Sequence, residues 1–420
     1  MTRNLLRRRG RLLGTVAALL AVSAAAACSS STEKSDGPVT LNVWLMKDSA
    51  TPELIKQVND EFMAQHDKVT VKTQVLEWDG RDAKWKTALA SDTPPDVLEM
   101  GNTDVLTYAS SGGLADLSKR EFENQSTWLQ GLEEAGTYED KLYGVPYYGA
   151  DRVVLYRKDL WAKAGLGAPP KTLAELKMVA TTLQAKGGKD FSGLYFPGRY
   201  QYAALPFVYD AGGAIAKKDG DGWKATLSSE QSRAGLTAWS DLIKATSKAP
   251  ADADETNLPD IMGQNRTAMM LGQAWMVPLV SQKYPAIGKE LAAFPMPGND
   301  GPMPVFLGGS NLTSAAAGKH QDLAYAWIKL MTSSKYQTVI GNNGMLPNTT
   351  SLESAVSGIT AVQLEAAGKS WFTPTSTKWS NVDNARVVQD MLQAIASGDK
   401  SVDDATKDAD RKIDDLLSGA

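Results

Sequence analysis

The sequence is short of the side chains that most catalytic and metal centres need. One cysteine and two histidines stand in 420 residues. A single thiol makes no intrachain disulfide and no Cys-ligated zinc site. His66 and His320 sit at the edges of helical patterns, leaving no His-rich metal motif and no Ser-His-Asp set. No Gly-rich phosphate loop is present, and there is no internal repeat. Basic residues number 44 against 48 acidic, and no basic run occurs beyond residue 27, which argues against nucleic acid or an anionic surface as partner. Paired carboxylates could in principle serve a secreted glycoside hydrolase, but with 48 acids such pairs arise by chance and carry little weight. The expectation is a protein that is not an enzyme, with no cofactor and no metal.

What is present is an ordinary globular composition, 43% hydrophobic and 22% charged, long enough for about two domains. Residues 1–27 read as a secretory signal: Arg3, Arg7, Arg8, Arg9 and Arg11, then an apolar stretch from Leu12 to Ala21, then Ala24 to Ala27. The apolar part is too short and Ala-rich for a spanning helix. Cys28 follows Ala25-Ala26-Ala27, which resembles a bacterial lipoprotein cleavage box, although Ala25 stands where leucine is favoured. Residues 28–38 are small and polar, a flexible tether. A diacylated Cys28 would anchor the protein on the outer side of the cell membrane. Losing the five arginines of residues 1–27 takes the net charge from −4 to about −9.

After Pro38, Val39–Leu45 alternates with period two and predicts a strand. Thr51-Pro52-Glu53 opens a helix with Leu54, Ile55, Val58 and Phe62 inward. Strands follow at 69–75 and 95–100 with a helix over 84–90 between them, an order that implies parallel pairing. The strand at 153–156 and a capping box at Thr172–Glu175 come next. Helices over 200–212 and 229–246 suggest a second, more helical lobe. Thr267–Leu271 reads as a strand, and the last third predicts helices over 323–331, 382–396 and 402–417.

In this order the local motifs resemble a known family. They include Leu41-Asn42-Val43-Trp44-Leu45, Thr93-Pro94-Pro95-Asp96-Val97 and Gly112-Gly113-Leu114-Ala115-Asp116-Leu117. Further along come Gly144-Val145-Pro146-Tyr147, Leu155-Tyr156-Arg157-Lys158-Asp159, Arg266-Thr267-Ala268-Met269-Met270, Gly272-Gln273-Ala274-Trp275 and Gly308-Gly309-Ser310-Asn311. The chain resembles the sugar-type extracellular solute-binding proteins of ABC importers, the maltodextrin-binding-protein-like family, over nearly its whole mature length. It is similar to actinobacterial members that capture amino-sugar or glucose-type oligosaccharides, with chitobiose the leading candidate. The resemblance implies an α/β fold of two lobes, type II-like, with the ligand cleft between them. The expected division is 39–148 with 308–345 in the first lobe and 149–307 with 346–420 in the second. Chain crossings are expected near Ala109–Leu117 and Leu307–Thr313. The implied partners are a sugar and the membrane permease subunits, bound by a monomer that closes by hinge bending.

A sugar offers an apolar C–H face to aromatic rings and a hydroxyl rim to charged and amide groups. With 11 Trp, 13 Tyr and 8 Phe the chain has the means. Trp275 follows a strand through Gly272 and resembles the family's stacking tryptophan; the alternative is a core residue. Either Tyr147 or Tyr148 faces the cleft, and Asp151 or Arg152 reaches the ligand rim or forms a surface ion pair. Lys47 and Asp48, Glu77 and Trp78, and Asn102 and Asp104 follow the first three strands, where α/β sheets place their ligands. Asn102 and Asp104 either bind hydroxyls or cap the next turn. Trp371 and Trp379 lie where the family presents a late aromatic, though the local pattern departs from it. Gly308, Gly309 and Ser310 form a hinge or a tight turn. The competing cargoes in the same fold are iron, held by tyrosines such as Tyr147 and Tyr148, or a polyamine.

Overall fold

The computed structural model describes residues 37–367 and 369–418, so the signal segment and Cys28 lie outside the described residues. From Val39 onward the chain forms one compact unit. In chain order its principal strands are β1 (Val39–Met46), β2 (Val69–Leu76), β3 (Val97–Gly101), β4 (Gly144–Ala150) and β5 (Val153–Arg157). They continue with β6 (Ser192–Tyr195), β7 (Thr267–Gly272), β8 (Leu291–Phe294), β9 (Gly308–Ser314) and β10 (Leu346–Pro347).

These ten strands form two sheets, one per lobe, beside four two-stranded ribbons among the described residues. The first has the order β10-β4-β9-β3-β1-β2, and the second β8-β5-β7-β6. β1 pairs in parallel with both β2 and β3, as strand–helix–strand order demands, whereas β9 runs antiparallel to β3 and β4. Alternation in β1 turns Leu41, Val43 and Leu45 into a core with Val58 and Phe62 of the helix Pro52–Gln65. That helix begins where Thr51 Oγ1 accepts from the Leu54 N–H at 3.2 Å. The second lobe's core is larger and includes Trp239, Leu176 and Met269. Its helix Leu173–Gly187 starts on the expected cap, Thr172 Oγ1 accepting from the Glu175 N–H. Glu175 reaches back to the N–H of Lys171.

β4 is buried along its whole length despite Pro146. The proline is tolerated because β4 bulges there: Ser310 opposes Tyr148 and Asn311 opposes Pro146, so Tyr147 has no partner across the ladder. Side-chain amides satisfy the bulge, Asn348 Nδ2 donating to the Pro146 carbonyl and Gln337 Nε2 to that of Tyr147. Opposite it Gly309 adopts φ +148, and a Cβ there would lie 2.2 Å from the Tyr148 carbonyl oxygen.

The chain leaves the first sheet between Ala150 and Val153, through Asp151 and Arg152 alone. The crossing expected at Ala109–Leu117 does not occur. Ala109, Leu114 and Leu117 are buried in the first lobe's apolar clusters, and Leu114 bridges to Ala315 beside β9. The chain re-enters the first sheet at Gly308, after Phe306 has packed in the second lobe's core. It returns once more after β10, and the helices Trp379–Asn384, Val387–Ser397 and Val402–Ser418 pack on the second lobe. The single helix expected over 382–396 is broken at Arg386, whose φ of +54 turns the chain between two helices. Among the described residues no helix is long and apolar enough to cross a membrane.

Candidate functional site

The loops after β1, β2 and β3 carry polar groups of the first lobe, and the segments after β2 and β3 reach the second lobe through Arg81 and Thr107. Lys47 and Asp48 are exposed, Asp48 in the left-handed region with φ +65. Lys47 Nζ pairs with Glu77 at 3.1 Å. Trp78 is half-buried, and its indole N–H donates to the Lys47 carbonyl at 3.0 Å, which ties the β2 loop to the β1 loop.

Behind these loops sits a group that sequence reasoning missed. Glu99, in β3, has no exposed surface. Its carboxylate accepts from the Met46 N–H at 2.8 Å, the Ser49 hydroxyl at 2.6 Å and the Tyr148 hydroxyl at 3.3 Å. Burial pushes it up to about 7 against those donors. A carboxyl held above its ordinary value stabilises the fold in acid, and that contribution is lost as pH rises from about 4.5 to about 7. Glu99→Gln removes this titration. The melting temperature of the variant relative to the native protein is therefore expected to be a few degrees more favourable at pH 8 than at pH 5. A difference that stays flat between those pH values would contradict the assignment.

The lobes meet at an ion network. Arg81, at the start of the helix Arg81–Leu89, donates to Asp104 at 3.2 Å within its own lobe and to Asp383 of the second lobe at 3.3 Å. Its guanidinium lies 5.8 Å from the Trp78 ring centroid. Asp104 stands at the N-terminus of the helix Val105–Ser110 but makes no side-chain cap; its carboxylate serves Arg81 instead. Burial pushes Asp104 up to about 6, opposed by Arg81 and reinforced by the like charge of Asp383. Gln201 Nε2 donates to the other oxygen of Asp383 at 3.2 Å. Beside this contact Thr107 Oγ1 donates to the Thr377 carbonyl at 2.9 Å. Asn102 is no cap either; its amide donates to the Leu307 carbonyl at 3.1 Å, fixing the β3 end to the segment entering β9.

From the second lobe comes a group of rings and charges. Arg152 lies 4.9 Å from the Tyr202 ring centroid and donates to the Tyr200 hydroxyl at 3.1 Å. Tyr202 stacks on Phe306 with centroids 4.4 Å apart and planes at 15°. Burial holds the Tyr202 hydroxyl well above its ordinary range, helped by Asp383. It holds the Glu255 carboxyl up as well, although Arg152 pulls it down. Asp151 is fully buried, neither of its carboxylate oxygens has a hydrogen-bond partner among the described residues, and burial pushes it up to about 8.

Trp275 begins the helix that runs on through Met276–Lys283. It is half-buried, packs against the second lobe's core, and donates through its indole N–H to Gln273 Oε1 at 2.8 Å. Its backbone abuts Gly344 of the segment leading to β10, so it too stands at the boundary between lobes.

Other expected residues are placed differently. Tyr147 is fully buried in the first lobe's core, its hydroxyl donating to the Ser49 carbonyl at 3.3 Å. Tyr148 is nearly so, bonded to Glu99 and Ser310. Trp371 and Trp379 are buried in the second lobe's core, Trp371 stacked on Tyr209 at 4.3 Å and 12°. Gly308, Gly309 and Ser310 are the first residues of β9 rather than a free turn. An open concavity of about 740 Å³, whose lining includes Asn42, Trp44, Lys84 and Thr87, belongs to the first lobe alone and is not the cleft. A small cavity of about 20 Å³ between the lobes is bounded on one side by Asn102, Leu106 and Gly131 and on the other by Phe372, Pro374 and Ser376, so the lobes are in contact there. Among the described residues no cluster of His, Cys, Asp or Glu has the arrangement of a metal site.

Comparison with known proteins gives a consistent picture. A family model described as bacterial extracellular solute-binding protein matches residues 46–338. The diacetylchitobiose binding protein DasA of Streptomyces coelicolor is 35% identical over 387 residues, covering 90% of each chain. The GacH receptor of Streptomyces glaucescens, solved unliganded and with acarbose, superposes with a TM-score of 0.80 at 26% identity, over 90% of this chain and 98% of that one. The sugar-binding protein MalE of Xanthomonas citri superposes with a TM-score of 0.78 at 22% identity, over 90% and 98%, a likeness of fold.

Proposed function

The chain belongs to the bacterial extracellular solute-binding protein family, and from that premise we propose that it captures a sugar or short oligosaccharide between its lobes for a membrane ABC permease. Diacetylchitobiose is the leading cargo, supported by the relative that is 35% identical along 90% of both chains and bears that sugar in its name. The protein is a carrier and not an enzyme, held by a lipid on Cys28 and working as a monomer.

The observation that carries the reading is the chemistry gathered where the lobes meet. Trp78 and Trp275 bring half-buried aromatic surface from opposite lobes. Arg81 stands beside Trp78 and pairs with Asp104 and with Asp383 of the other lobe, while Arg152 lies against Tyr200 and Tyr202; such groups bind hydroxyls and amides by charge-assisted hydrogen bonds. Asn102 borders the same boundary from the first lobe, and Lys47, Asp48 and Glu77 are proposed to reach the ligand from the loops after β1 and β2. Asp151 adds a buried carboxyl at the chain crossing, pushed up to about 8 by burial. Trp371 backs Tyr202 through Phe306, and Tyr148 and Tyr147 hold the Glu99 cluster, Tyr147 through Ser49; Trp379 is a core residue. A ligand that touches both lobes stabilises the closed arrangement, because only that arrangement offers it both sets of contacts. Hinge motion is assigned to Asp151–Arg152 and to Gly308–Ser310, where the chain passes between the sheets.

Thermal unfolding of the mature domain against disaccharides, amino-sugar oligomers, polyamines and ferric salts tests this. A ligand at about 100 times its dissociation constant adds roughly 2.7 kcal/mol, a shift of a few degrees. The expected result is a shift with diacetylchitobiose and none with spermidine or ferric citrate. A shift with iron or a polyamine alone would overturn the sugar assignment and leave the family standing.

A further inference from the structure

Gln363 is buried in the helix Ile359–Ala367, at 1% exposure. Its side-chain amide makes two hydrogen bonds, both to backbone groups remote in sequence. Oε1 accepts from the Ala274 N–H at 3.1 Å, and Nε2 donates to the Asp151 carbonyl at 2.6 Å. Each partner dictates the atom it meets, an N–H requiring an acceptor and a carbonyl a donor, so the amide is oriented from both ends. Ala274 immediately precedes Trp275, in a turn closed by the bond from the Trp275 indole to Gln273. Asp151 is one of the two residues by which β4 crosses to β5. On the other side, a Cβ on Gly344 would meet the Trp275 nitrogen at 2.9 Å and the Ala274 carbonyl carbon at 3.0 Å. The Trp275 turn therefore sits between a first-lobe glycine and the Gln363 amide.

We propose that Gln363 is a positioning residue for the ligand site, one amide that fixes the turn presenting Trp275 to the chain crossing at Asp151. This rests on the reading of Trp275 as a sugar platform. A buried N–H and a buried carbonyl both lose their partner when the amide is removed, and each regains one only by moving. The turn and the crossing then shift independently, and the indole loses its set relation to the first lobe.

The test compares the mature protein with Gln363→Leu, similar in size and without hydrogen bonds. Thr246→Val serves as control, because it removes a buried hydroxyl that bonds the Leu242 carbonyl within the helix Glu230–Thr246. Without ligand, amide exchange in segment 272–276 is expected to rise at least tenfold in Gln363→Leu and to stay unchanged in Thr246→Val. Unchanged exchange in Gln363→Leu overturns the proposal. With diacetylchitobiose as probe, Gln363→Leu is expected to weaken binding about tenfold in the native background but less than about twofold beside Trp275→Ala. Equal losses in both backgrounds mean that Gln363 does not act through Trp275, which also overturns it. If Trp275→Ala alone leaves affinity intact, the platform reading fails and this inference with it. If diacetylchitobiose does not bind at all, the choice of cargo fails alone, and the exchange experiment decides for Gln363.

Discussion

Replacing Trp275 with alanine is expected to weaken sugar binding by roughly 100-fold, about 3 kcal/mol, while leaving the fold intact. The indole is the large half-buried ring that stands at the first turn of a helix on the boundary between lobes, already anchored by Gln273. Its anchoring means little side-chain freedom remains to be lost when a ligand stacks on it, which is what makes a rigid aromatic an effective binding group. Trp239, by contrast, is fully buried far along the second lobe's core, and its truncation should cost stability of about 3–5 kcal/mol without a specific loss of affinity. Calorimetric titration with diacetylchitobiose alongside thermal melts separates the two. A Trp275→Ala protein that binds as tightly as the native one would remove the platform from the account.

The second large effect is expected from Arg81→Met. Arg81 is the cation between Asp104, 4% exposed, and Asp383, 15% exposed, and removing it leaves two carboxylates facing each other across the lobes. Breaking a buried pair on one side costs about 3–5 kcal/mol, and the 21% exposure of Arg81 lowers that to about 2–4 kcal/mol. The deficit should shrink in acid. Asp104 is already held up at about 6 with Arg81 present, so near pH 5 it takes a proton and the repulsion fades, whereas at pH 8 it is ionised. Chemical denaturation of both proteins at pH 5 and pH 8 checks the sign. An equal or larger deficit at pH 5 would contradict the role given to this network. Because Asp383 lies on the second lobe, the same substitution is expected to loosen closure as well as stability.

What was legible in the sequence follows from range. The strand at β1, the cap at Thr51 and the cap at Thr172 depend on residues within a few positions, and they stand where the patterns put them. That Trp78, Asn102 and Asp104 lie in the loops after β2 and β3 was readable from strand order, and their binding of ligand remains the proposal. The partners of those residues were not readable in this way. Arg81 meets Asp383 across 302 residues, and no local pattern marks Asp383 as different from other surface acids. Tyr200, Gln201 and Tyr202 carried a faint signal, a polar and aromatic run that opens an apolar helix. Glu99 was hidden for a different reason. Within the strand Val97–Gly101 it reads as an outward-facing acid, yet Ser49, Tyr148 and Ser310, remote in sequence, close over it. The misjudged crossing at Ala109–Leu117 has the same origin. Its Gly112-Gly113 looks like a break between lobes, and only the antiparallel β9, some 200 residues later, keeps the segment in the first.

Whether the two lobes hold a sugar between them is decided by isothermal titration of the mature domain with diacetylchitobiose. One site per chain is expected, saturable at micromolar concentration or below, and roughly 100-fold weaker in Trp275→Ala. No heat with diacetylchitobiose or any other oligosaccharide, beside saturable binding of a polyamine or ferric salt, would contradict that expectation.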